Sequence, residues 1–155
     1  MKAWPKRKIN EVLTRVKDDI QIIDLTTYSR ITIRMAGKGV ALRDRVVGSE
    51  IGTKRQFVAH AGQFVLSKID ARNGAFGVLP DVCDNAIVTG NFWVFDVDHG
   101  QIDSGFFNYL SKSPAFVAAC VVASAERVND FAARGGINLV RWADWHSGCL
   151  SPSVG

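Results

Sequence analysis

Five polar side chains between positions 67 and 73 combine residue types and spacing that fit a chemical role. They are Ser67, Lys68, Asp70, Arg72 and Asn73, and they lie where a predicted strand runs into a glycine turn at Gly74. Arg and Asn can make bidentate hydrogen bonds to the edges of guanine and adenine, whereas Lys and Ser suit contacts with phosphate. Polar strand ends precede turns in many β proteins, so this spacing alone is a moderate signal for nucleic-acid binding.

The charge of the chain is divided unevenly along its length. Residues 1–80 hold 15 Lys and Arg against 7 Asp and Glu, while residues 81–155 hold 4 against 8. A basic half of this kind favours a polyanionic partner, because each cation placed near a phosphate releases counterions. A merely solvated basic face explains the same charge equally well.

The sequence lacks the common motifs of catalysis. It has no GxxxxGK[ST], GxGxxG, HExxH or GxSxG pattern. Its three cysteines and three histidines show no spacing typical of a metal site, so we expect reduced thiols, no metal and no cofactor. Asp96 and Asp98 could hold a divalent metal in a nuclease, an alternative that we keep, although Asp is also common in turns.

Hydrophobic periodicity predicts an α/β (α+β) fold. A helix over 8–17 precedes two alternating segments, 28–35 and 40–47, which we predict to form a hairpin. Further strands are predicted at 56–58, 63–69, 76–78 and 86–95, and helices at 102–112 and from Pro114 to about 133. The expected domain is a twisted, mostly antiparallel sheet with a short helix at its start and helices near its end. The apolar run 92–95 is interpreted as a core strand in preference to a base-stacking platform.

Several segments, in this order, resemble the target recognition domain of type I restriction-modification specificity subunits. The segments are YSRITIR (28–34), GKGVALR (37–43), GSEIGTK (48–54), GQFVLSKIDARNGAFG (62–77) and AIVTGNFWVF (86–95). The similarity covers about residues 8–122, and the number of ordered matches makes it specific.

The resemblance implies a subunit that reads a DNA target and carries no reaction itself. In that family the methylation and restriction subunits hold the chemistry that uses S-adenosylmethionine and ATP, and the specificity subunit docks them. The expected partners are therefore duplex DNA, the methylation (modification) subunit and the restriction subunit, in the cytoplasm. The DNA target cannot be read from the resemblance.

We expect the DNA contacts to come from basic and amide side chains on predicted edges and turns. They are Arg30, Arg34, Lys38, Arg43, Lys54, Arg55, Lys68, Arg72, Asn73 and Asn91. Arg72 and Asn73 are the candidates for base edges, and the lysines are the candidates for phosphates. Asp70 is interpreted as a carboxylate that caps the turn and positions Arg72.

The sequence is interpreted as a truncated member of the family. Residues 1–123 are predicted to form a single recognition domain, and residues 124–155 do not match the family's usual ending or its spacer helix. A natural frameshift or a divergent closing element would each explain that ending. The main alternative function is therefore a remnant that folds without productive binding.

Overall fold

Residues 12–114 and 116–118 are described by a computed structural model, and they form two β-sheets with helical segments packed on them. The strands are β1 (Leu13–Val16), β2 (Asp19–Gln21), β3 (Thr27–Arg34), β4 (Gly39–Val47), β5 (Arg55–Ala59), β6 (Phe64–Ser67), β7 (Phe76–Val78), β8 (Ala86–Val88) and β9 (Phe92–Val97), and helix α1 is Ser104–Ser111. Single 3-10 turns are formed by Gly48–Glu50, Ala71–Asn73 and Asp81–Cys83.

The strands divide between a sheet of four and a sheet of five. Sheet I has the order β1-β9-β6-β7 and is antiparallel throughout. Sheet II has the order β2-β5-β8-β3-β4 and is antiparallel except where β3 meets β8, at the pair Arg30 and Ile87. The α+β class and the mostly antiparallel pairing are confirmed, with two sheets where one was expected.

The core is layered because neighbouring residues of a strand point to opposite faces of a sheet. In β6, Phe64 packs with helix α1 on one face of sheet I, whereas Val65 packs toward sheet II on the other. The cluster between the sheets contains the buried Cys83. A third, smaller cluster around Ile87 covers the outer face of sheet II. Strand β6 is therefore buried on both faces, which explains its uninterrupted apolar sequence.

The β3–β4 hairpin forms as predicted. Its strands pair antiparallel from Thr27 with Val47 to Arg34 with Gly39, with a register shift between Arg30 and Ile31. The predicted segments 56–58, 63–69 and 76–78 correspond to β5, β6 and β7, and 102–112 contains α1. The 92–95 segment is a core strand, since Trp93, Val94 and Phe95 are buried.

Two of the predicted elements are wrong. Residues Leu13–Val16 of the predicted 8–17 helix form β1, which pairs with β9, because Leu13 reaches the core on a strand as well as it would on a helix. The predicted strand 86–95 is two strands on different sheets, and the turn between them is closed by the Phe92 amide donating to the Thr89 carbonyl oxygen (3.1 Å). Residues 8–11 of the first helix, most of the helix after Pro114 and residues 124–155 lie outside the described residues.

Candidate nucleic-acid interface

Two turns that are distant in the sequence are joined by hydrogen bonds at one end of the molecule. The Ala36 amide, at the tip of the β3–β4 hairpin, donates to the Asn73 carbonyl oxygen (2.7 Å), and the Gly37 amide donates to the Gly74 carbonyl oxygen (3.1 Å). We call the hairpin residues 35–38 and the turn residues 68–74 together the tip surface. It contains four residues predicted for DNA contact: Lys38, Lys68, Arg72 and Asn73.

The close approach of the two turns depends on backbone conformations that most residues avoid. Gly74 has a φ of +76°, and a Cβ at this position would lie 2.8 Å from the Gly37 nitrogen. Ala36 has a φ of +58°, a left-handed conformation that costs an L-residue roughly 1–2 kcal/mol. The hydrogen bond from Ala36 to Asn73 helps to hold that conformation. The two hydrogen bonds and the close packing at Gly74 thus hold the two turns of the tip surface together.

The turn that carries Arg72 and Asn73 is organised by Asp70. The Asp70 carboxylate accepts a hydrogen bond from Asn73 Nδ2 (3.2 Å), and the Asp70 amide donates to Ser67 Oγ (3.2 Å). Asn73 keeps its amide oxygen and its second amide hydrogen for another partner. Asp70 therefore positions Asn73, and no described contact joins it to Arg72, the residue that we expected it to position.

Four of the predicted cations are paired with carboxylates on sheet II. The pairs are Arg30–Asp44 (2.6 Å), Arg43–Asp44 (3.8 Å), Lys54–Asp24 (2.7 Å) and Arg55–Asp19 (3.0 Å). The Arg30 guanidinium donates twice to Asp44, and these hydrogen bonds hold the pKa of the Asp44 carboxyl below its ordinary value. A phosphate would have to compete with these carboxylates, so the four side chains are poorer candidates for it than an unpaired cation.

The other predicted cations have no ion pair with any residue in the described ranges. They are Arg34, Lys38, Lys68 and Arg72. Arg34 ends β3 at the hairpin tip, and Lys68 begins the turn that leads to Arg72. The Lys68 amide donates to the Asn91 carbonyl oxygen (2.9 Å), so Asn91 also belongs to this end of sheet I. Four of the ten predicted residues thus lie on the tip surface, and Asn91 and Arg34 border it.

Sequence reasoning missed three basic residues near these turns. Arg15 and Lys17 lie on and just after β1, and Lys112 follows α1 beside Gly37. Arg15 and Lys17 were assigned to a helix, although their spacing of two would have placed them on one face of a strand. Lys112 had no such signal, because its approach to the hairpin depends on how α1 packs on sheet I.

The carboxylates considered for a metal site serve local structure. Asp96 Oδ1 accepts a hydrogen bond from Gln63 Nε2 (2.7 Å), while Asp98 accepts from the Gly100 amide and from Gln101 Nε2. Asp103 caps α1 by accepting from the Phe106 amide. In the ranges that the structure describes, no three His, Cys, Asp or Glu side chains are grouped closely enough to hold a metal. Helices in the same ranges are too short or too polar to span a bilayer.

Comparison with solved structures finds a similar arrangement of strands in other proteins. The HsdS subunit from Thermoanaerobacter tengcongensis matches with a TM-score of 0.73 at 13% identity, over 93% of this chain and 37% of that one. The described strands follow the HsdS fold. A chain from a structural study of complex assembly and conformational transition of the type I R-M system matches with a TM-score of 0.62 at 16% identity, over 82% of this chain and 33% of that one.

The likeness to HsdS is one of structure. No protein-family model and no curated protein sequence matches this chain. The chain spans about a third of the length of each of the two matched chains. The fold implied by the sequence resemblance is confirmed.

Proposed function

We propose that this chain binds duplex DNA sequence-specifically, as the target recognition component of a type I restriction-modification complex, and catalyses no reaction itself. The observation that carries the proposal is the tip surface, where Lys38, Arg72 and Asn73 are brought together with no carboxylate paired to either cation among the described residues. An HsdS-like fold supports the same role.

The proposed role of each residue follows from the chemistry of its side chain. Arg72 and Asn73 contact base edges, since a guanidinium and an amide can each bind a purine through two hydrogen bonds. Lys38 and Lys68 contact phosphates and set the register of the domain on the duplex. Arg34 and Asn91 border this surface and complete it. The sheet II cations remain candidates of lower rank, because they are paired with aspartates.

Assembly with partners is the second part of the proposal. The methylation and restriction subunits of a type I system would supply the reactions, and this chain would supply the choice of DNA site. A cytoplasmic location stays a prediction that accompanies this role. Co-purification of the chain with a methylation subunit, with and without the restriction subunit, tests the assembly separately from DNA binding.

Selection from a randomised duplex library tests the DNA proposal directly. The purified chain is used to enrich bound duplexes, and anisotropy titrations of the enriched pool and of random duplex follow at two salt concentrations. We expect a motif of a few base pairs and a preference for it that survives at the higher salt. Weak binding that salt abolishes, without a motif, would contradict the proposal and favour the alternative of a folded remnant. Metal-dependent cleavage of the duplex would favour the nuclease alternative.

A further inference from the structure

Three cations surround Trp93 at one end of sheet I. The Arg15 guanidinium carbon lies 4.6 Å from the centre of the Trp93 ring, and Lys68 Nζ lies 5.3 Å from it. Lys17, directly after β1, is the third: its charge acts on Lys68 strongly enough to lower the pKa of that lysine. Strand β9 lies between β1 and β6, so Arg15 on β1 and Lys68 just after β6 approach the same indole from its two neighbouring strands.

This cluster has an uncompensated charge. None of the three cations forms an ion pair with a carboxylate in the described part of the chain, in contrast to Lys54, which binds Asp24. Burial lowers the pKa of Lys68, and the neighbouring charges of Arg15 and Lys17 lower it further. A bound anion would offset both effects and favour the charged lysine.

The indole N–H of Trp93 is a buried hydrogen-bond donor for which the described residues provide no acceptor. Trp93 is 8% exposed, and its Nε1 is buried without a hydrogen-bond partner among the described residues. Buried donors without an acceptor are uncommon in folded proteins and call for a specific explanation. An anion with several acceptor oxygens would balance the charge of the cations beside this indole and supply acceptors close to its buried donor.

We propose that Arg15, Lys17 and Lys68, arranged around Trp93, bind one phosphate group of the DNA backbone. This inference rests on the proposed function and extends it to β1, a strand that the sequence did not connect with DNA. The planar fork of Arg15 fits phosphate through two hydrogen bonds, and the lysines add charge. Because Lys68 begins the turn that carries Arg72 and Asn73, a phosphate held here fixes the duplex beside the proposed base contacts.

The salt dependence of duplex binding tests the site. Anisotropy titrations with the selected duplex at four salt concentrations give the slope of log K against log salt for the whole chain and for the double variant Arg15→Gln/Lys17→Gln. Loss of one phosphate contact reduces the steepness of this slope by about 0.9. We expect that reduction with the preference between selected and random duplex unchanged, since the site reads no bases.

Two control variants separate site-specific effects from general ones. Arg45→Gln removes an exposed cation from β4, on the other sheet, and should leave the slope close to that of the unmodified chain. Arg15→Lys keeps the charge and should retain most of the slope while weakening the affinity. An equal slope for Arg45→Gln and the double variant would overturn the proposal while leaving the proposed function standing.

Inorganic phosphate provides a test that is independent of DNA. The indole N–H signal of Trp93 is identified in ¹⁵N spectra as the one of four tryptophan signals that Trp93→Phe removes. Titration with phosphate at constant ionic strength, balanced with chloride, should shift this signal saturably in the unmodified chain and not in the double variant. No shift in the unmodified chain, together with an unaltered salt slope, would show that the cluster binds no phosphate. If the chain binds no duplex at all, the proposed function fails and the phosphate titration alone decides the site.

Discussion

The availability of an arginine to a ligand depends on the carboxylates around it. Arg30 donates two hydrogen bonds to Asp44, whereas Arg72 is exposed and has no ion pair among the described residues. Binding DNA through Arg30 would first require breaking those bonds. The two arginines look equivalent in the sequence. They differ because Arg30 binds Asp44, which lies 14 residues later in the chain.

Replacement of Arg72 tests its role in base recognition. We expect Arg72→Ala to weaken binding to the selected duplex by about 1–3 kcal/mol, and binding to random duplex by less, because a base contact is lost. Anisotropy titrations of both duplexes measure the difference. Arg55→Ala is the matched control, since Arg55 is equally exposed but paired with Asp19, and it should have a smaller effect. An equal loss on both duplexes would remove Arg72 from the base-reading residues.

Asp44 makes the stability of the hairpin depend on pH. Because hydrogen bonds from Arg30 lower its pKa in the folded state, Asp44 stabilises the fold fully above its ordinary pKa of about 3.9, and this contribution is lost as the pH falls through the lowered value. We expect Asp44→Asn to lower the melting temperature at pH 7 and to have a progressively smaller effect as the pH falls below the ordinary pKa of Asp44. Thermal unfolding from pH 2.5 to 7 measures this.

Asp81 offers a control for that measurement. It is exposed and has no ion pair with a described residue, so Asp81→Asn should leave the melting temperature nearly unchanged across the same pH range. A difference between Asp44→Asn and the unmodified chain that is constant with pH would show that the ion pair is not its cause.

Among the elements, the contact between the hairpin and the 68–74 turn depends most on a single residue. Gly74→Ala places a methyl group 2.8 Å from the Gly37 nitrogen and puts a side chain at a φ of +76°. Gly62 has a similar φ of +84° but open space around its Cβ position, so Gly62→Ala measures the cost of the backbone conformation alone. That cost is about 1 kcal/mol.

Comparison of the two alanine variants isolates the contribution of the close approach. We expect the free energy of unfolding, measured with denaturant, to fall by more in Gly74→Ala than in Gly62→Ala, because the clash adds to the conformational cost. Duplex binding should also weaken in Gly74→Ala, since the tip surface is displaced. Equal losses of stability would mean that the two turns move apart without cost.

The elements that the sequence predicted correctly are those with local signals. Strands β3 and β4 alternate apolar and polar residues around a glycine turn, which fixes the pairing over a short distance. Strand β1 has no such local signal, because Val12, Leu13 and Val16 suit a helix as well, and pairing with β9 about 80 residues later decides its structure. The turn between β8 and β9 was missed because apolar residues on both sides of it made the two strands resemble one continuous strand in the sequence.

In the candidate site too, features with local sequence signals were predictable, and contacts between distant residues were not. The predicted strand end and glycine turn located Lys68, Arg72 and Asn73 correctly on one turn. The ion pairs of Lys54 and Arg55 were not predictable, because their aspartates lie 30 and 36 residues away, in the turn that follows β2 and on β2 itself, and the pairing of β2 was unknown. The approach of Arg15 to Trp93 depends on β1 being a strand. It was therefore missed together with that strand.

For the whole molecule, Phe64 links sheet I to the helical layer. It is 0% exposed and contacts the rings of four other phenylalanines, among them Phe107 of α1, at 4.9 Å between centroids. We expect Phe64→Ala to lower the free energy of unfolding by about 3–5 kcal/mol, because it leaves a cavity that the neighbours cannot fill. Denaturant unfolding measures the loss. Tyr109→Ala, at a side chain that is 76% exposed on the same helix, should change it by no more than about 0.5 kcal/mol.

The position of β9 has a consequence for the order of events during synthesis. It is made after the other eight described strands, yet it lies between β1 and β6 in sheet I. Until Val97 has left the ribosome, β1 has no partner in its sheet and β6 lacks one of its two neighbours. The nascent chain must therefore carry the apolar residues of these strands incompletely paired until β9 has been made, a period in which exposed strand edges favour aggregation. Only when β9 is inserted do the Arg15 and Lys68 side chains come to the same indole, so the phosphate site is completed late in the assembly of the described fold.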